Sequence, residues 1–157
     1  MEVKLAVKFS KNNSLAFDSQ PSFGSFDGFV LKYNSTGGKV WTRIFGNTSS
    51  DSFRGVAVNP TNASQGVFII GITGGNFAGN PGNGGADMLL ALISPDGDLV
   101  WSRLIGGGGD DSGWSVTLDK TGRYMFAAAC IGLEFVKISM DPETGYVVDI
   151  LFSFCIE

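Results

Sequence analysis

The sequence predicts an all-β protein assembled from repeated four-stranded antiparallel units. Three observations lead to this prediction: a long internal repeat, short alternating or apolar runs separated by turn residues, and 23 glycines among 157 residues. Many glycines together with many Val, Ile, Phe and Trp are typical of numerous short strands joined by tight turns. The chain is also 43% apolar, which is enough to fill a core and unlike a disordered segment.

The internal repeat has a period of sixty residues. Aligned without gaps, 27–58 and 87–118 share nine identical residues among 32 positions. The most visible matches are WTRIFGNTSSD, which begins at Trp41, and WSRLIGGGGDD, which begins at Trp101. A period of this length indicates a repeat architecture in which each unit is one supersecondary element.

Each full unit contains four predicted strands. They lie at about 28–34, 39–45, 54–59 and 67–72 in the first unit, and at about 87–93, 98–105, 113–118 and 123–130 in the second. The stretches between them, such as NSTGGK and SPDGD, have the composition of turns. Four strands to a unit are typical of one propeller blade, so the sequence predicts a β-propeller-like array of four-stranded antiparallel blades.

The two ends of the chain predict complementary half units. The stretch 132–157 reads as the first two strands of a unit and 1–26 as the last two, with 5–7 aligned on 56–58. The single repeat domain, 1–157, is thus a half unit (1–26), unit 1 (27–86), unit 2 (87–131) and a half unit (132–157). An apolar terminal strand with unpaired backbone groups is a hazard, so we expect the halves to complete one blade. Three blades are fewer than closed propellers typically have, which favours completion between molecules over ring closure.

These residues resemble the seven-bladed-propeller-type (SBBP) β-propeller repeat. The first unit matches it with DGFVLKY from Asp27, GGKVW from Gly37, DSFRGVAVN from Asp51 and VFIIGIT from Val67, and the second with DMLLALI, GDLVW and GGGGDDSGWSVTLD. The resemblance covers about 27–131 and weakens at both ends, where Tyr146 replaces the tryptophan of the third unit. It implies a propeller in a cell-surface or extracellular setting, with no enzyme activity and no catalytic residues.

Composition narrows the functional classes. The chain has no histidine, which excludes Ser-His-Asp and Cys-His nucleophile pairs and every His-ligated metal site. No pair stands out among its 15 acids, so the sequence predicts neither an enzyme nor a cofactor. The net charge is −4 and the 11 basic residues are scattered, which argues against nucleic acid as a partner. The longest apolar stretches fall short of the ~20 residues that a membrane span needs.

One set of residues recurs in both full units and forms the main candidate site. It consists of Trp41, Arg43 and Asp51, repeated as Trp101, Arg103 and Asp111. Positions two apart on a strand share a face, so the tryptophan and the arginine could stack, with the aspartate close enough to pair. This arrangement could be a binding cluster or a framework contact between blades. Internal repetition favours the framework, because a binding site is usually built once.

Three further features are candidates for modification or ligand binding. Asn-X-Ser/Thr glycosylation triplets, all in predicted loops, occur at Asn12, Asn34, Asn47 and Asn62. A disulfide between Cys130 and Cys155 is one interpretation of the two cysteines, and two buried free thiols are the other. The stretch GGGGDDSG from Gly106 resembles an anion nest or a calcium loop, but it lacks the alternating ligands of an EF-hand and is interpreted as a turn.

The repeat pattern predicts a structural protein, and the resemblance implies an extracellular or cell-surface setting. We expect it to self-assemble into a filament or sheath when terminal strands of one copy complete a blade of another. Two alternatives remain open: an adhesin or glycan-binding propeller module, and a fragment of a larger surface propeller protein. The expected partners are other copies of the chain and a possible glycan, without nucleic acid and without a membrane span.

Overall fold

The computed structural model describes residues 3–4, 18–132, 134–144 and 147–155, and the side chains of 18–132 and 141–144. Within these ranges the fold is all-β. The strands are β1 (Val3–Lys4), β2 (Gly28–Tyr33), β3 (Lys39–Phe45), β4 (Asp51–Val58), β5 (Val67–Thr73), β6 (Asp87–Ile93), β7 (Leu99–Ile105), β8 (Ser112–Leu118), β9 (Met125–Ile131), β10 (Glu134–Met140) and β11 (Val147–Cys155). A short 3-10 helix, Ala63–Gln65, lies in the β4–β5 loop. The described residues contain no helix with the length and apolarity needed to cross a membrane.

The strands form three antiparallel sheets. The first sheet is β1-β2-β3, the second is β4-β5-β6-β7 and the third is β8-β9-β10-β11. All eight strands predicted for the two full units are confirmed, with small differences at their ends. No closed propeller is found among the described strands.

The prediction that each repeat forms one sheet is wrong. In the second sheet β5 pairs with β6 along its whole length, with Val67 opposite Ile93 and Thr73 opposite Asp87. This sheet therefore joins the last two strands of unit 1 to the first two strands of unit 2. The reason is that a repeat has no intrinsic starting point: its period is the same wherever the sheet boundary falls. The period in the sequence locates the strands but not the sheet boundaries.

The prediction that the two terminal half units complete each other is also wrong for the C-terminal strands. The strand β10 pairs with β9, with Glu134 opposite Ile131 and Met140 opposite Met125, and β11 pairs with β10. The β9–β10 connection is very short, so this hairpin closes at a much lower entropic cost than pairing with a distant segment. The C-terminal strands thus complete the third sheet of their own chain.

The N-terminal strand takes a different place from the predicted one. Val3 and Lys4 pair with Lys32 and Leu31 of β2, which is the position that β5 holds beside β6 in the second sheet. In its described part the first sheet thus has three strands, without a counterpart of β4 or β8. The segment 5–7, which was aligned on 56–58, lies outside the described residues.

Two apolar cores hold the three sheets together. The core between the first and second sheets contains Val30, Phe53, Val67, Ile69, Leu89, Ala91 and Ile93. The core between the second and third sheets contains Phe68, Ile70, Met88, Leu90, Leu92, Val116, Met125, Ala127 and Ala129. The second sheet is thus covered on both faces, and all seven residues of its strand β6 are buried. This explains why DMLLALI is a continuous apolar run and not an alternating one.

Candidate functional site

The recurring tryptophan and arginine of unit 1 join the first sheet to the second. The indole Nε1 of Trp41 donates to the backbone oxygen of Pro95 at 3.0 Å, and an Arg43 guanidinium nitrogen donates to the backbone oxygen of Asp96 at 3.1 Å. The acceptors belong to the β6–β7 turn, whose Gly97 has φ +93° and leaves no room for a Cβ because Arg43 Cγ would lie 2.9 Å from it. These side chains are therefore occupied by contacts between sheets.

The equivalent pair in unit 2 keeps its internal geometry, but its tryptophan lacks the bond that Trp41 makes. The Arg103 guanidinium lies 5.9 Å from the Trp101 ring centroid, close to the 5.7 Å between Arg43 and Trp41. The Trp101 ring packs against Phe68, with 6.1 Å between the ring centroids. Its Nε1 is buried and has no hydrogen-bond partner in the described part of the chain. The two tryptophans thus have similar geometry with their arginines and differ in the hydrogen bond of the indole nitrogen.

The third recurring residue belongs to a pair of buried carboxylates that the sequence interpretation did not identify. Asp51 lies beside Asp27 and Asp111 beside Asp87, all four at least 95% buried. Asp87 Oδ1 and Asp111 Oδ2 lie close together on either side of Gly106. A Cβ added to Gly106 would lie 2.4 Å from each of these two oxygens. The recurrence of Asp27 and Asp87 at the same sixty-residue offset was the sequence signal for these pairs.

Most oxygens of these carboxylates accept hydrogen bonds from nearby loops. Asp27 Oδ2 accepts from Ser22 Oγ at 2.6 Å and from Phe23 N at 3.0 Å, and Asp51 Oδ2 accepts from Asn47 N at 2.7 Å. In unit 2 the corresponding donors are Asn83 N for Asp87, and Gly107 N and Gly132 N for Asp111. The pairs therefore fix the loops at one end of the sheets.

The electrostatics of the pairs depend on burial and on the proximity of two carboxyl groups. Asp27 Oδ1 and Asp87 Oδ1 are buried and have no hydrogen-bond partner there. Burial raises the pKa of the Asp51 carboxyl, and the charge of Asp27 acts in the same direction, while bonds from Thr73 and Asn47 oppose the rise. Because the raised pKa favours the protonated form, we expect the Asp51 carboxyl to retain its proton more readily than an exposed acid does.

The glycine-rich stretch after Gly106 is an exposed turn. Gly107, Gly108 and Gly109 have no neighbour within 4 Å of an added Cβ, and Asp110 Oδ1 accepts from Ala86 N at 2.9 Å. Among the described residues no group of three or more His, Cys, Asp or Glu side chains is arranged to hold a metal ion.

The glycosylation triplets differ in the accessibility of their asparagines. Asn34 and Asn62 are exposed, and each accepts a hydroxyl hydrogen bond at 2.8 Å from its own triplet, from Thr36 and Ser64 respectively. Asn47 is half-buried, and its Nδ2, which would carry the glycan, donates to Thr73 Oγ1 at 2.9 Å and to the Asn76 backbone oxygen at 3.1 Å. Asn12 lies outside the described residues.

The two cysteines lie on different strands of the third sheet. Cys130 is a free, half-buried thiol on β9, and Cys155 ends β11, with β10 between them. Strands two places apart in a sheet are separated by roughly 10 Å, which exceeds the Cα separation that a disulfide spans. This order disfavours a disulfide within one chain; the Cys155 side chain lies outside the described residues.

A polar cavity of about 380 Å³ lies at the opposite end of the second and third sheets from the aspartate pairs. Three loops form it: the β4–β5 loop, the β8–β9 turn and the β10–β11 turn. Its lining residues are Asn59, Thr61, Asn62, Gln65, Gly122, Arg123, Asp141, Pro142 and Glu143. None of them belongs to the recurring cluster, and the sequence interpretation did not identify this cavity.

Comparison with known protein families finds no family model that matches this chain. A search of curated proteins finds no match either.

Proposed function

We propose that this chain is a non-enzymatic structural repeat protein of the propeller type, which associates with other copies of itself in an extracellular or cell-surface setting. What supports the proposal is the way its own sheets associate. The contacts between sheets are made by residues of the repeat: two apolar cores, the Trp41 and Arg43 bonds to the next turn, and the buried aspartate pairs. A protein whose recurring residues serve packing is suited to a scaffold role.

The observation that carries self-association is an exposed face on β8 and β9, the two strands of the third sheet whose side chains the structure describes. Ile70 on β5 is completely buried beneath the third sheet. Its equivalent on β9 is Ala128, because Ile70 pairs with Gly55 and Ala128 pairs with Ser115, the residue sixty positions after Gly55. Ala128 is exposed. Thr117 on β8 is likewise exposed where its counterpart in the second sheet, Ala57, packs against the core. We expect the first sheet of another copy to cover this face. The equivalent face of the second sheet is covered in the same way, by the next sheet of the repeat within the chain.

This mode of association differs from completion of a blade by terminal strands. The C-terminal strands already pair within the third sheet, so the contact would join faces of sheets and not their edges. The smaller and more polar Ala128 and Thr117 reduce the apolar area, and each contact is therefore expected to be weaker than the cores within the chain. Weak contacts repeated head to tail give filaments or sheaths that depend on concentration.

The experiment is negative-stain electron microscopy together with light scattering at micromolar concentration. We expect wild-type protein to form fibres or larger particles, Ala128→Arg to remain monomeric, and the control Ala63→Arg, on an exposed loop, to behave like wild type. A monomer at every concentration would reject the proposal.

The alternative is that the chain is a fragment of a larger propeller protein. In that case the same face of the third sheet would contact further sheets of the longer chain. If the chain is secreted by a eukaryote, Asn34 and Asn62 are, among the described triplets, the exposed candidates for glycosylation.

A further inference from the structure

The polar cavity lies where the sequence departs from its own repeat. The β4–β5 loop, 59–66, is longer than the corresponding β8–β9 turn, 119–124, and the additional length contains the 3-10 helix that brings Gln65 to the cavity. The β10–β11 turn, 141–146, is likewise one residue longer than the corresponding SPDGD turn, 94–98, and its Pro142 and Glu143 line the cavity. Two separate departures from a framework thus meet at one cavity, which is expected of a site that is built once.

The walls of the cavity are joined to one another by hydrogen bonds. The Asn59 side chain, only 6% exposed, donates to Gln65 Oε1 at 2.8 Å and to the Gly122 backbone oxygen at 3.4 Å. Gly122 has φ +69°, and a Cβ there would lie 2.1 Å from Asn59 Oδ1. Gln65 Nε2 donates to the backbone oxygen of Pro142 at 3.5 Å. The three loops therefore form a preorganised cavity.

Several polar groups of the lining are not used by these bonds. In the part of the chain that the structure describes, the Arg123 guanidinium, the Glu143 carboxylate and the Asn62 amide nitrogen have no hydrogen-bond partner. Asp141 Oδ1 accepts from the Glu143 backbone N–H at 2.7 Å, which leaves its second oxygen available. The lining thus offers a cationic donor, an amide donor and two anionic acceptors to one occupant.

We propose that this cavity binds a saccharide of one or two rings. Ring hydroxyls donate to the carboxylates of Asp141 and Glu143 and accept from the guanidinium of Arg123, so a polyhydroxylated ligand satisfies both signs of charge. An inorganic anion would face the two carboxylates, and a metal cation would face the guanidinium. The volume of about 380 Å³ is at the lower end of the range for small-molecule sites. This proposal does not depend on self-association.

The test is saturation-transfer difference NMR on the full chain, produced without glycosylation because Asn62 lines the cavity. The probes are the methyl glycosides of glucose, galactose, mannose and N-acetylglucosamine. We expect at least one of them to bind with a dissociation constant in about the millimolar range, as befits a small ligand. Arg123→Met and Glu143→Gln should each weaken that binding about tenfold, because each removes a charge-assisted hydrogen bond.

Matched controls are available on neighbouring and equivalent turns. Lys120→Met removes an exposed cation from the same turn as Arg123, and Asp96→Asn removes a carboxylate from the position in the β6–β7 turn that corresponds to Glu143. Both controls should bind the sugar like wild type, and all four variants should unfold at the wild-type temperature. The proposal is overturned if none of the glycosides binds at about 10 mM. It is also overturned if the two test variants bind like the controls, or if calcium chloride or inorganic phosphate binds in place of the sugars.

Discussion

Arg54 and Trp114 occupy the same position in two successive repeats and contact each other between the second and third sheets. The guanidinium carbon of Arg54 lies 4.1 Å from the ring centroid of Trp114. Each is the extra residue of a β-bulge, at which the pairing register of β4 or β8 shifts. Because a bulge changes the direction of a side chain, the two bulges place these side chains together. A repeat position with no sequence identity thus forms a contact between repeats.

This contact predicts a measurable coupling between the two side chains. In a double-mutant cycle with Arg54→Met and Trp114→Ala, we expect a coupling free energy of about 0.5–1 kcal/mol, the range of a partly exposed cation–π pair. The measurement is the free energy of unfolding from urea titrations. Tyr124 is as exposed as Trp114, at 51% against 52%, so Tyr124→Ala is the matched control. Its effect should simply add to that of Arg54→Met, and additive effects of Trp114→Ala would show that the stacking contributes nothing.

The glycine between each pair of aspartates predicts a second effect. At Gly106 an added Cβ would lie 2.4 Å from both Asp87 Oδ1 and Asp111 Oδ2, and buried carboxylates cannot move away without losing their loop contacts. We therefore expect Gly106→Ala to lower the free energy of unfolding by about 1–3 kcal/mol, as overpacking does elsewhere.

The neighbouring Gly107 provides the control for this substitution. An added Cβ there meets nothing within 4 Å, so Gly107→Ala should change the free energy of unfolding by less than about 0.5 kcal/mol. Urea titrations of both variants measure the difference. Equal effects of the two substitutions would mean that the aspartate pair is not packed against Gly106.

The sequence was sufficient for the strands but not for how they combine into sheets. Apolar runs, the alternation of apolar and polar residues, and turn residues predicted β2 through β9, because these are local properties of the sequence. The division into sheets depends on which strand edges pair, and the sixty-residue period is unchanged by shifting that division. The pairing of β5 with β6, in which Val67 lies opposite Ile93, shows that the second sheet combines strands of both units and begins at β4.

The same distinction applies to the candidate sites. The identity of Trp41 with Trp101 was visible in the sequence, and the structure places Trp41 at a contact between sheets. The polar cavity gave no such signal, because its residues come from three loops that are far apart in the chain and that interrupt the repeat. Its only trace in the sequence is a difference in loop length between units.

The turn that precedes β9 predicts a stability that falls in acid. The Thr121 hydroxyl, together with backbone N–H groups of the same turn, holds the pKa of Asp119 at about 2. A lowered pKa contributes stability above the ordinary value of 3.8, and the contribution is lost as the pH falls toward about 2. We expect the unfolding temperature of Asp119→Asn to vary less than that of wild type between about pH 5 and pH 2. Parallel profiles would contradict this role.

The Asp27–Asp51 pair predicts the opposite dependence on pH. Burial raises the pKa of Asp51 in the folded state, so the folded protein holds this proton more tightly than the unfolded chain does. The resulting stability is fully present below the ordinary value of 3.8 and is lost as the pH rises through the raised pKa. Wild-type protein should therefore lose stability through this group as the pH is raised above 3.8.

Asp51→Asn isolates this contribution, because an amide resembles the protonated acid in shape and in having a donor. Its oxygen can accept from Asn47 N, and its NH₂ group takes the place of the oxygen that accepts from Asn47 Nδ2 at 3.3 Å. That bond is lost, but Asn47 Nδ2 keeps Thr73 Oγ1 and the Asn76 backbone oxygen as acceptors. We expect the variant to be at least as stable as wild type at pH 7, and its unfolding temperature to lack the decline between acidic and neutral pH. The measurement is thermal unfolding across that range, with Asp51→Ala as the control that removes both bonds and is destabilised throughout. If Asp51→Asn is as unstable as Asp51→Ala at pH 7, the carboxylate is needed in its ionised form and the pair does not retain a proton.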